Sequence, residues 1–275
     1  MEVLQMNQEQ QIQMAYQTIK SAIFGHVVGD VLGVPVEFVK REKLEKCPVT
    51  DMLEFGTHNQ PKGTWSDDTS MTLCTLDSLT KQNAIITEDI MSNFYQWLTA
   101  GKFTPFGRTF GVGRTTLKAI ANYRKGKCYI CSKEKENGNG SLMRILPILL
   151  YQHFHVRENI SLEQEIEEIH TISALTHAHE RSLVACGIYK FVAEELLHKL
   201  NKSSITKGLQ NASSLYHNSP EYNSFSRLFS NNFSLTSRAS RASIKSSGYI
   251  VDTLESAIWC LLEGKPKQLR EILVL

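Results

Sequence analysis

The sequence lacks an excess of charge of either sign. It has 30 lysine and arginine residues against 28 aspartate and glutamate residues, which leaves a formal net charge of +2 over 275 residues. Proteins whose main partner is a nucleic acid usually carry a strongly basic surface. The balance therefore argues against a nucleic acid as a partner of this protein.

The sequence also lacks the segments that direct a chain to a membrane. Residues 1–13 are polar and glutamine-rich, without the apolar centre of a signal peptide. No apolar run approaches the ~18 residues of a membrane-spanning helix. Two of the six cysteines form a lone Cys128-x-x-Cys131 pair, which has no second pair or histidines at zinc spacing. Most of the cysteines stand singly in apolar stretches, which is typical of reduced thiols. We therefore expect a cytoplasmic protein with no membrane partner.

Clean alternation of apolar and polar residues, which would indicate β-strands, is absent. Helical periodicity dominates, so we predict an all-α fold with a single domain over residues 1–275 and a polar tail at 1–10. The stretch 217–247 is rich in Ser, Asn and Arg, and we expect a surface loop or disorder there. The predicted helices cover residues 11–33, 69–80, 87–99, 114–125, 141–151, 161–173, 179–199, 204–216, 248–262 and 266–274.

The most informative segment is residues 63–72, Gly-Thr-Trp-Ser-Asp-Asp-Thr-Ser-Met-Thr. Mg²⁺ and Ca²⁺ take oxygen ligands, which Ser66, Asp67, Asp68 and Thr69 supply together. Neighbouring residues on a helix point about 100° apart, so the two aspartates can converge on one ion only at a helix entrance. A simple helix cap explains one or two of the same residues. The segment taken alone leaves both interpretations open.

Two glycine-rich turns precede predicted helices. Residues 136–141 read Glu-Asn-Gly-Asn-Gly-Ser, and residues 106–116 contain three glycines and two arginines. Backbone N–H groups at a helix entrance bind anions, and glycine lets a ligand approach closely. Both turns therefore suit phosphate groups, with a plain helix cap by Ser141 as an equal alternative for the first.

Three single residues also stand out. Glu37 follows the predicted exit of the first helix, where a carboxylate opposes the helix dipole, and this placement suggests a general base or a solvent-facing side chain. His177 follows Thr176, which we predict to cap the next helix, and one functional histidine is more economical than a zinc site with His179. Tyr249 either walls a base-binding pocket or closes the core.

Taken in chain order, these segments resemble the ADP-ribosylglycohydrolase family, which includes the dinitrogenase reductase-activating glycohydrolase. The match runs from about Gly25 to Leu275. It rests on five motifs that are specific only in combination: Gly-Asp-Val-Leu-Gly-Val-Pro-Val-Glu (29–37), Trp-Ser-Asp-Asp-Thr (65–69), Asn-Gly-Ser-Leu-Met-Arg (139–144), Leu-Thr-His (175–177) and Ser-Gly-Tyr-Ile-Val-Asp-Thr-Leu (247–254).

The resemblance implies an all-α orthogonal multi-helix bundle that cleaves the N- or O-glycosidic bond between ADP-ribose and a protein or small-molecule acceptor. It implies two Mg²⁺ or Mn²⁺ ions as cofactors, Ser66, Asp67 and Asp68 as metal ligands, and Glu37 and Asp67 as catalytic residues. The substrate-binding residues that it implies are Gly111, Val112, Gly113, Asn139, Gly140, Ser141, His177 and Tyr249.

The sequence departs from the family pattern at two places. Many relatives carry an aspartate where this chain has Gly111. The family also has an Asn-Leu-Gly-x-Asp-x-Asp-Thr segment that supplies further metal ligands, and this sequence reaches Leu275 about where that segment should begin. We therefore expect a domain without that segment, with weak metal binding and doubtful activity. The alternatives are a non-catalytic protein that binds ADP-ribose or a protein partner, and a helical interaction protein.

Overall fold

The computed structural model describes residues 7–126, 131–155, 157, 160–230 and 243–263. Within these ranges the chain forms helices and two isolated β-bridges but no strand, so the all-α prediction is confirmed. The helices of this part of the chain are α1 (Gln8–Gly33), α2 (Arg41–Lys46), α3 (Asp67–Gln82), α4 (Thr87–Ala100), α5 (Arg114–Arg124), α6 (Leu146–Phe154), α7 (Leu162–Ala174), α8 (Glu180–His198), α9 (Lys202–Tyr216), α10 (Ser226–Phe229) and α11 (Ile250–Glu263).

The predicted helix boundaries agree with the structure to within a few residues, with one exception. The sequence predicts a helix over residues 141–151, whereas Leu142–Arg144 forms a 3₁₀ turn and α6 begins only at Leu146. Pro147 explains the late start, because proline lacks an N–H group and is tolerated in the first turn of a helix. The sequence pattern predicts neither α2 nor α10, and the predicted helix at 266–274 lies outside the described residues.

Two apolar cores share helix α8. One core packs α8 against α9 and α11, and the other packs α3, α4, α6 and α7 together. Val184 belongs to the first core and Cys186 to the second, because residues two apart on a helix face nearly opposite directions. Helices α8 and α9 approach closely at Gly208, where a Cβ atom would lie 2.6 Å from the Cα of Val192. Helix α8 is therefore the central element of the fold.

Part of the predicted loop at 217–247 belongs to the core. Tyr222–Phe225 forms a 3₁₀ turn, and α10 follows it directly. Phe225 is 1% exposed and Leu228 is 2% exposed, and both pack into the core around α8 and α9. The prediction of a surface loop is wrong for this part, because a few correctly placed apolar side chains anchor a segment whose average composition is polar. Residues 231–242 of this stretch lie outside the described residues.

Helix α1 contradicts the expectation that no apolar segment reaches membrane-spanning length. With the turn after it, Gln8–Val36 is long and apolar enough to cross a membrane by length and composition, and 22% of that window is buried. Core helices of folded proteins and N-terminal leader sequences meet the same criterion. The C-terminal end of α1 is attached to the rest of the protein, since Asp30 accepts hydrogen bonds from the backbone at the entrance of α3.

We expect Phe225→Ala to lower the free energy of unfolding by about 3–5 kcal/mol, because it leaves a cavity in place of a fully buried ring. The matched control is Phe106→Ala, which truncates a ring that is 62% exposed and should change that free energy by less than about 0.5 kcal/mol. Urea unfolding followed by circular dichroism measures both variants. Equal effects would mean that the turn containing Phe225 is not part of the core.

Candidate active site

One cleft brings together most of the polar residues that the sequence analysis identified. Its volume is about 890 Å³, which is the size of pockets that bind organic ligands. The end of α1, the entrance of α3, the loop before α5, the turn at 138–140 and helix α11 form its walls. The predicted site residues that line it are Glu37, Ser66, Asp67, Asp68, Gly111, Gly113, Asn139, Gly140 and His177.

The entrance of α3 places two carboxylates in the cleft. The helix begins at Asp67, so Asp67 and Asp68 both lie in its first turn. Ser66 caps the helix, because its Oγ accepts a hydrogen bond from the N–H of Asp68 at 3.3 Å. Ser66 thus acts as the helix cap that was one of the two interpretations of this segment, and the aspartates lie at the one part of a helix where neighbouring side chains can converge.

Asp30 holds this entrance in position. One of its carboxylate oxygens accepts hydrogen bonds from the N–H of Ser66 at 2.9 Å and from the N–H of Thr69 at 3.1 Å. These are donors that a helix leaves unpaired at its first turn. The sequence analysis did not assign a role to Asp30, although the residue lies inside the motif at 29–37.

The carboxylates on this side of the cleft repel one another. Burial, followed by the charge of Asp68 and those of Asp30 and Glu37, raises the pKa of Asp67 well above its usual range. Burial and the charges of Asp30 and Glu37 raise the pKa of Asp68 to about 7. A divalent cation would relieve this repulsion, and carboxylate and hydroxyl oxygens are the ligands that Mg²⁺ and Mn²⁺ prefer. The residues present therefore fit such an ion.

Glu37 pairs with a histidine that the sequence analysis missed. Its Oε2 atom makes a short hydrogen bond to Nε2 of His58, and Glu37 itself lines the cleft. The His58 ring packs against Phe110 with 5.3 Å between the ring centroids. A hydrogen bond and a ring contact thus limit the orientations that Glu37 and His58 can adopt.

A strained loop holds His58 against Glu37. Phe55 has a φ of 64° and Gly56 a φ of 48°, and a Cβ atom on Gly56 would lie 2.1 Å from the carbonyl oxygen of Pro35. Thr57 donates a hydrogen bond to the carbonyl oxygen of Glu37 at 2.6 Å. Left-handed backbone at a bulky residue is unfavourable and is common at functional sites. The loop joins segments about 20 residues apart, so no local sequence pattern predicts it.

The turn at 138–140 forms a second wall of the cleft. The N–H of Asn139 donates to the carbonyl oxygen of Gly248 at 3.0 Å. A Cβ atom on Gly140 would lie 2.7 Å from Cε1 of His177 and 3.0 Å from Oγ1 of Thr116. Only glycine therefore fits at this position, where bare backbone and an imidazole ring lie side by side.

A buried hydrogen-bond chain determines which nitrogen of His177 carries the proton. Arg144, fully buried with its guanidinium over the Phe94 ring, donates from Nη2 to Oγ1 of Thr176 at 2.8 Å. That hydroxyl lies 2.9 Å from Nδ1 of His177. Arginine can only donate, so the threonine proton goes to Nδ1, and the ring proton is left on Nε2.

His177 is neutral under ordinary conditions. Burial, together with the charge of Arg144, lowers its pKa to about 3. Its Nε2 faces Gly138 and Gly140, at 3.9 Å and 3.2 Å from the positions that their Cβ atoms would occupy. His177 therefore offers one N–H donor to the cleft.

The predicted cap by Thr176 is wrong, since His179 caps α8 by accepting from the N–H of Arg181 at 3.1 Å.

Three predicted substrate-binding residues do not line the cleft. Ser141 is buried with its Oγ 3.6 Å from Sγ of Cys186, and it does not cap a helix. Val112 packs against the core of α3, α4 and α6. Tyr249 packs against the other core and against the guanidinium of Arg181. In each case the neighbouring glycine reaches the cleft instead.

Gly111 lies beside the aspartates. Its φ is 73°, and a Cβ atom there would lie 3.2 Å from Oδ1 of Asp67. An aspartate at this position, as the resemblance describes for many relatives, would bring another carboxylate to Asp67. This chain instead leaves that space open.

Comparison with known proteins identifies the family to which the chain belongs. A solved structure described as an ADP-ribosylglycohydrolase-related protein complex has the same fold, with a TM-score of 0.72 and 23% identity over 95% of this chain and 82% of that chain. The family model described as ADP-ribosylglycohydrolase matches residues 13–275. The chain therefore belongs to the ADP-ribosylglycohydrolase family, as its motifs predicted.

Curated relatives carry more specific names. A protein of Serratia proteamaculans (strain 568) named ADP-ribosylarginine hydrolase is 29% identical over 88% of this chain and 61% of its own length. A protein of Rhodospirillum rubrum named ADP-ribosyl-[dinitrogen reductase] glycohydrolase is 29% identical over 60% of this chain and 53% of its own length. The chain thus spans about three fifths of the first relative and half of the second.

We expect Asp68→Asn to raise the melting temperature at pH 8 in EDTA, by roughly 2–4 °C for each kcal/mol of repulsion that it removes. A carboxyl whose pKa is about 7 in the folded protein and ordinary in the unfolded chain destabilises the fold only when it is ionised. That penalty is absent below about pH 4 and complete above about pH 7, so the gain should shrink as the pH falls to 5.

Differential scanning calorimetry with and without Mg²⁺ measures this effect. Mg²⁺ should stabilise the unmodified protein more than Asp68→Asn. The matched control is Asp51→Asn, whose exposed carboxylate pairs with Lys62 and should show no such gain. A lower melting temperature for Asp68→Asn in EDTA would contradict the proposed repulsion.

Proposed function

We propose that this protein hydrolyses the N-glycosidic bond between ADP-ribose and an arginine side chain. The observation that carries the proposal is a single cleft with a carboxylate cluster on one wall and a glycine turn with an N–H donor on the other. The first wall suits a reacting glycosidic centre, and the second suits a diphosphate. The names of the relatives favour arginine as the acceptor.

The metal ligands in this proposal are Ser66, Asp67 and Asp68, with Mg²⁺ or Mn²⁺ as the ion. Bound there, a divalent ion would polarise ribose oxygens and lower the pKa of a bound water. Asp30 has a different part in this proposal, since one of its carboxylate oxygens already accepts hydrogen bonds from two backbone N–H groups. Its role is to keep the first turn of α3 in the orientation that presents both aspartates.

In this proposal the diphosphate binds at the wall formed by the turn at 138–140. The backbone at Asn139 and Gly140 approaches it closely, and Nε2–H of His177 donates a hydrogen bond to one of its oxygens. Lys135 and Arg114 also line the cleft and supply positive charge, whereas the charge of Lys118 is paired with Glu136. Arg144, which is buried behind this wall, adds a positive charge. Its pKa is about 10, so it stays protonated near neutral pH.

Glu37 acts as the general base. It accepts a proton from the attacking water while the oxygen of that water bonds to the anomeric carbon of the ribose. The bond from that carbon to the guanidinium nitrogen breaks, and the proton ends on the departing arginine. His58 holds the glutamate in the geometry required, in the way that a second group orients a catalytic base.

Release of ADP-ribose from ADP-ribosylated arginine, measured by chromatography, tests the proposal. We expect activity that requires Mg²⁺ or Mn²⁺. Glu37→Gln should lower kcat by about 10²–10⁴ while ADP-ribose binding is retained. Asp67→Asn should abolish the metal-dependent release of ADP-ribose. Glu54→Gln, an exposed carboxylate on the neighbouring loop, is the control.

Other outcomes of this assay separate the rival functions. Binding of ADP-ribose without release from any conjugate would replace the proposal with a non-catalytic binding protein. Release from a serine-linked conjugate in preference to the arginine-linked one would replace the N-glycosidic bond with an O-glycosidic bond. Absence of ADP-ribose binding at millimolar concentration would reject the formed site altogether.

A pair of glycine variants tests the diphosphate wall. Gly140→Ala places a methyl group 2.7 Å from Cε1 of His177, whereas Gly138→Ala meets its nearest atoms at 3.7 Å and 3.9 Å. We expect Gly140→Ala to weaken ADP-ribose binding by about tenfold or more, which corresponds to roughly 1.4 kcal/mol. Gly138→Ala should bind like the unmodified protein in isothermal titration calorimetry. Equal affinities for both variants would argue against a contact at His177.

A further inference from the structure

A second group of metal-ligating side chains lies outside the cleft. His153 is near the end of α6, and Glu194 and His198 lie on α8. Residues four apart on a helix share a face, so Glu194 and His198 present their side chains side by side toward His153. None of these three residues lines the cleft, and the proposed hydrolysis does not use them.

The three side chains converge on one point. Oε1 of Glu194 lies 2.9 Å from Nδ1 of His153 and 3.2 Å from Nε2 of His198. The three ligand atoms all lie within 4.8 Å of one another. Ligands about 2.0–2.1 Å from a tetrahedral zinc ion are ~3.3 Å apart, so the present spacing is already close to that of a zinc site.

The neighbouring lysine does not compete with a metal ion for Oε1 of Glu194. The one lysine within ion-pair distance of this carboxylate among the described residues is Lys190, whose Nζ lies 3.7 Å from Oε2. That ammonium is closer to Glu165, at 2.8 Å. The lysine is thus held by another carboxylate and faces the oxygen that the histidines do not use.

A second group of convergent side chains differs from this one, because a cationic side chain already pairs with its carboxylates. Glu134, His179 and Glu221 also lie within reach of one another. There, however, the guanidinium of Arg181 already pairs with both glutamates. The group at His153 has no such cation between its ligand atoms in the described part of the chain.

We propose that Nδ1 of His153, Oε1 of Glu194 and Nε2 of His198 bind a zinc ion, with water completing the coordination. Two imidazoles and one carboxylate suit zinc and related divalent ions, whereas the all-oxygen set in the cleft suits magnesium or manganese. The ion replaces the protons that the imidazoles now share with the carboxylate. It joins the end of α6 to the last turns of α8 and stabilises that contact.

The test uses the full chain with Asp67→Asn and Asp68→Asn, in excess Mg²⁺, so that the cleft cannot account for zinc binding. We expect one zinc ion per chain in competition with a fluorescent chelator, and a higher melting temperature with zinc. His198→Asn should weaken zinc binding by more than about tenfold, the scale on which zinc sites respond even to outer-shell changes. His198 is largely exposed, so this variant should fold normally.

Matched variants make the assignment specific. His153→Asn and Glu194→Gln should weaken zinc binding as His198→Asn does, whereas His155→Asn, which alters a ring stacked on Tyr151, should leave it unchanged. Absorption of bound Co²⁺ in the visible range should disappear with the three ligand variants only. Unchanged zinc affinity in the ligand variants, or equal loss in His155→Asn, would overturn the proposal and leave a network of hydrogen bonds.

Discussion

The carboxylate of Asp30 is the contact on which the candidate site depends. By accepting two backbone hydrogen bonds at the entrance of α3, it attaches the end of α1 to a turn that carries two further aspartates. This arrangement gathers negative charge in a partly buried place, where it is unfavourable unless a cation is bound. The interactions that build the fold and those that would bind a metal thus meet at the same helix entrance.

Sequence patterns predicted the all-α fold, most helix boundaries and the residues at the first turn of α3, because these follow from periodicity, capping and local chemistry. They failed where polar composition hid anchoring side chains, as at Phe225, and where Pro147 delayed a helix. They also missed His58 and Asp30, since each acts on a partner 21 or 36 residues away. Contacts of that kind depend on tertiary packing. A sequence motif indicates such packing only when it resembles a family of known fold.

Glycine serves a different purpose at three positions in and near this cleft. At Gly56 it permits the backbone to pass against Pro35, at Gly140 it makes room for His177, and at Gly111 it leaves space beside Asp67. The first two serve to bring functional groups together. The third distinguishes this chain from the pattern that its motifs otherwise follow, so the volume next to Asp67 is where its specificity can differ from that of relatives.

The two walls of the cleft respond differently to pH, because His177 lies within a buried hydrogen-bond chain. The imidazole, with a pKa of about 3, keeps the same charge and the same donor across the whole physiological range. The pKa of Asp68, at about 7, lies within that range. In the cation-free site, acidification would therefore neutralise Asp68 while His177 kept its charge and its N–H donor.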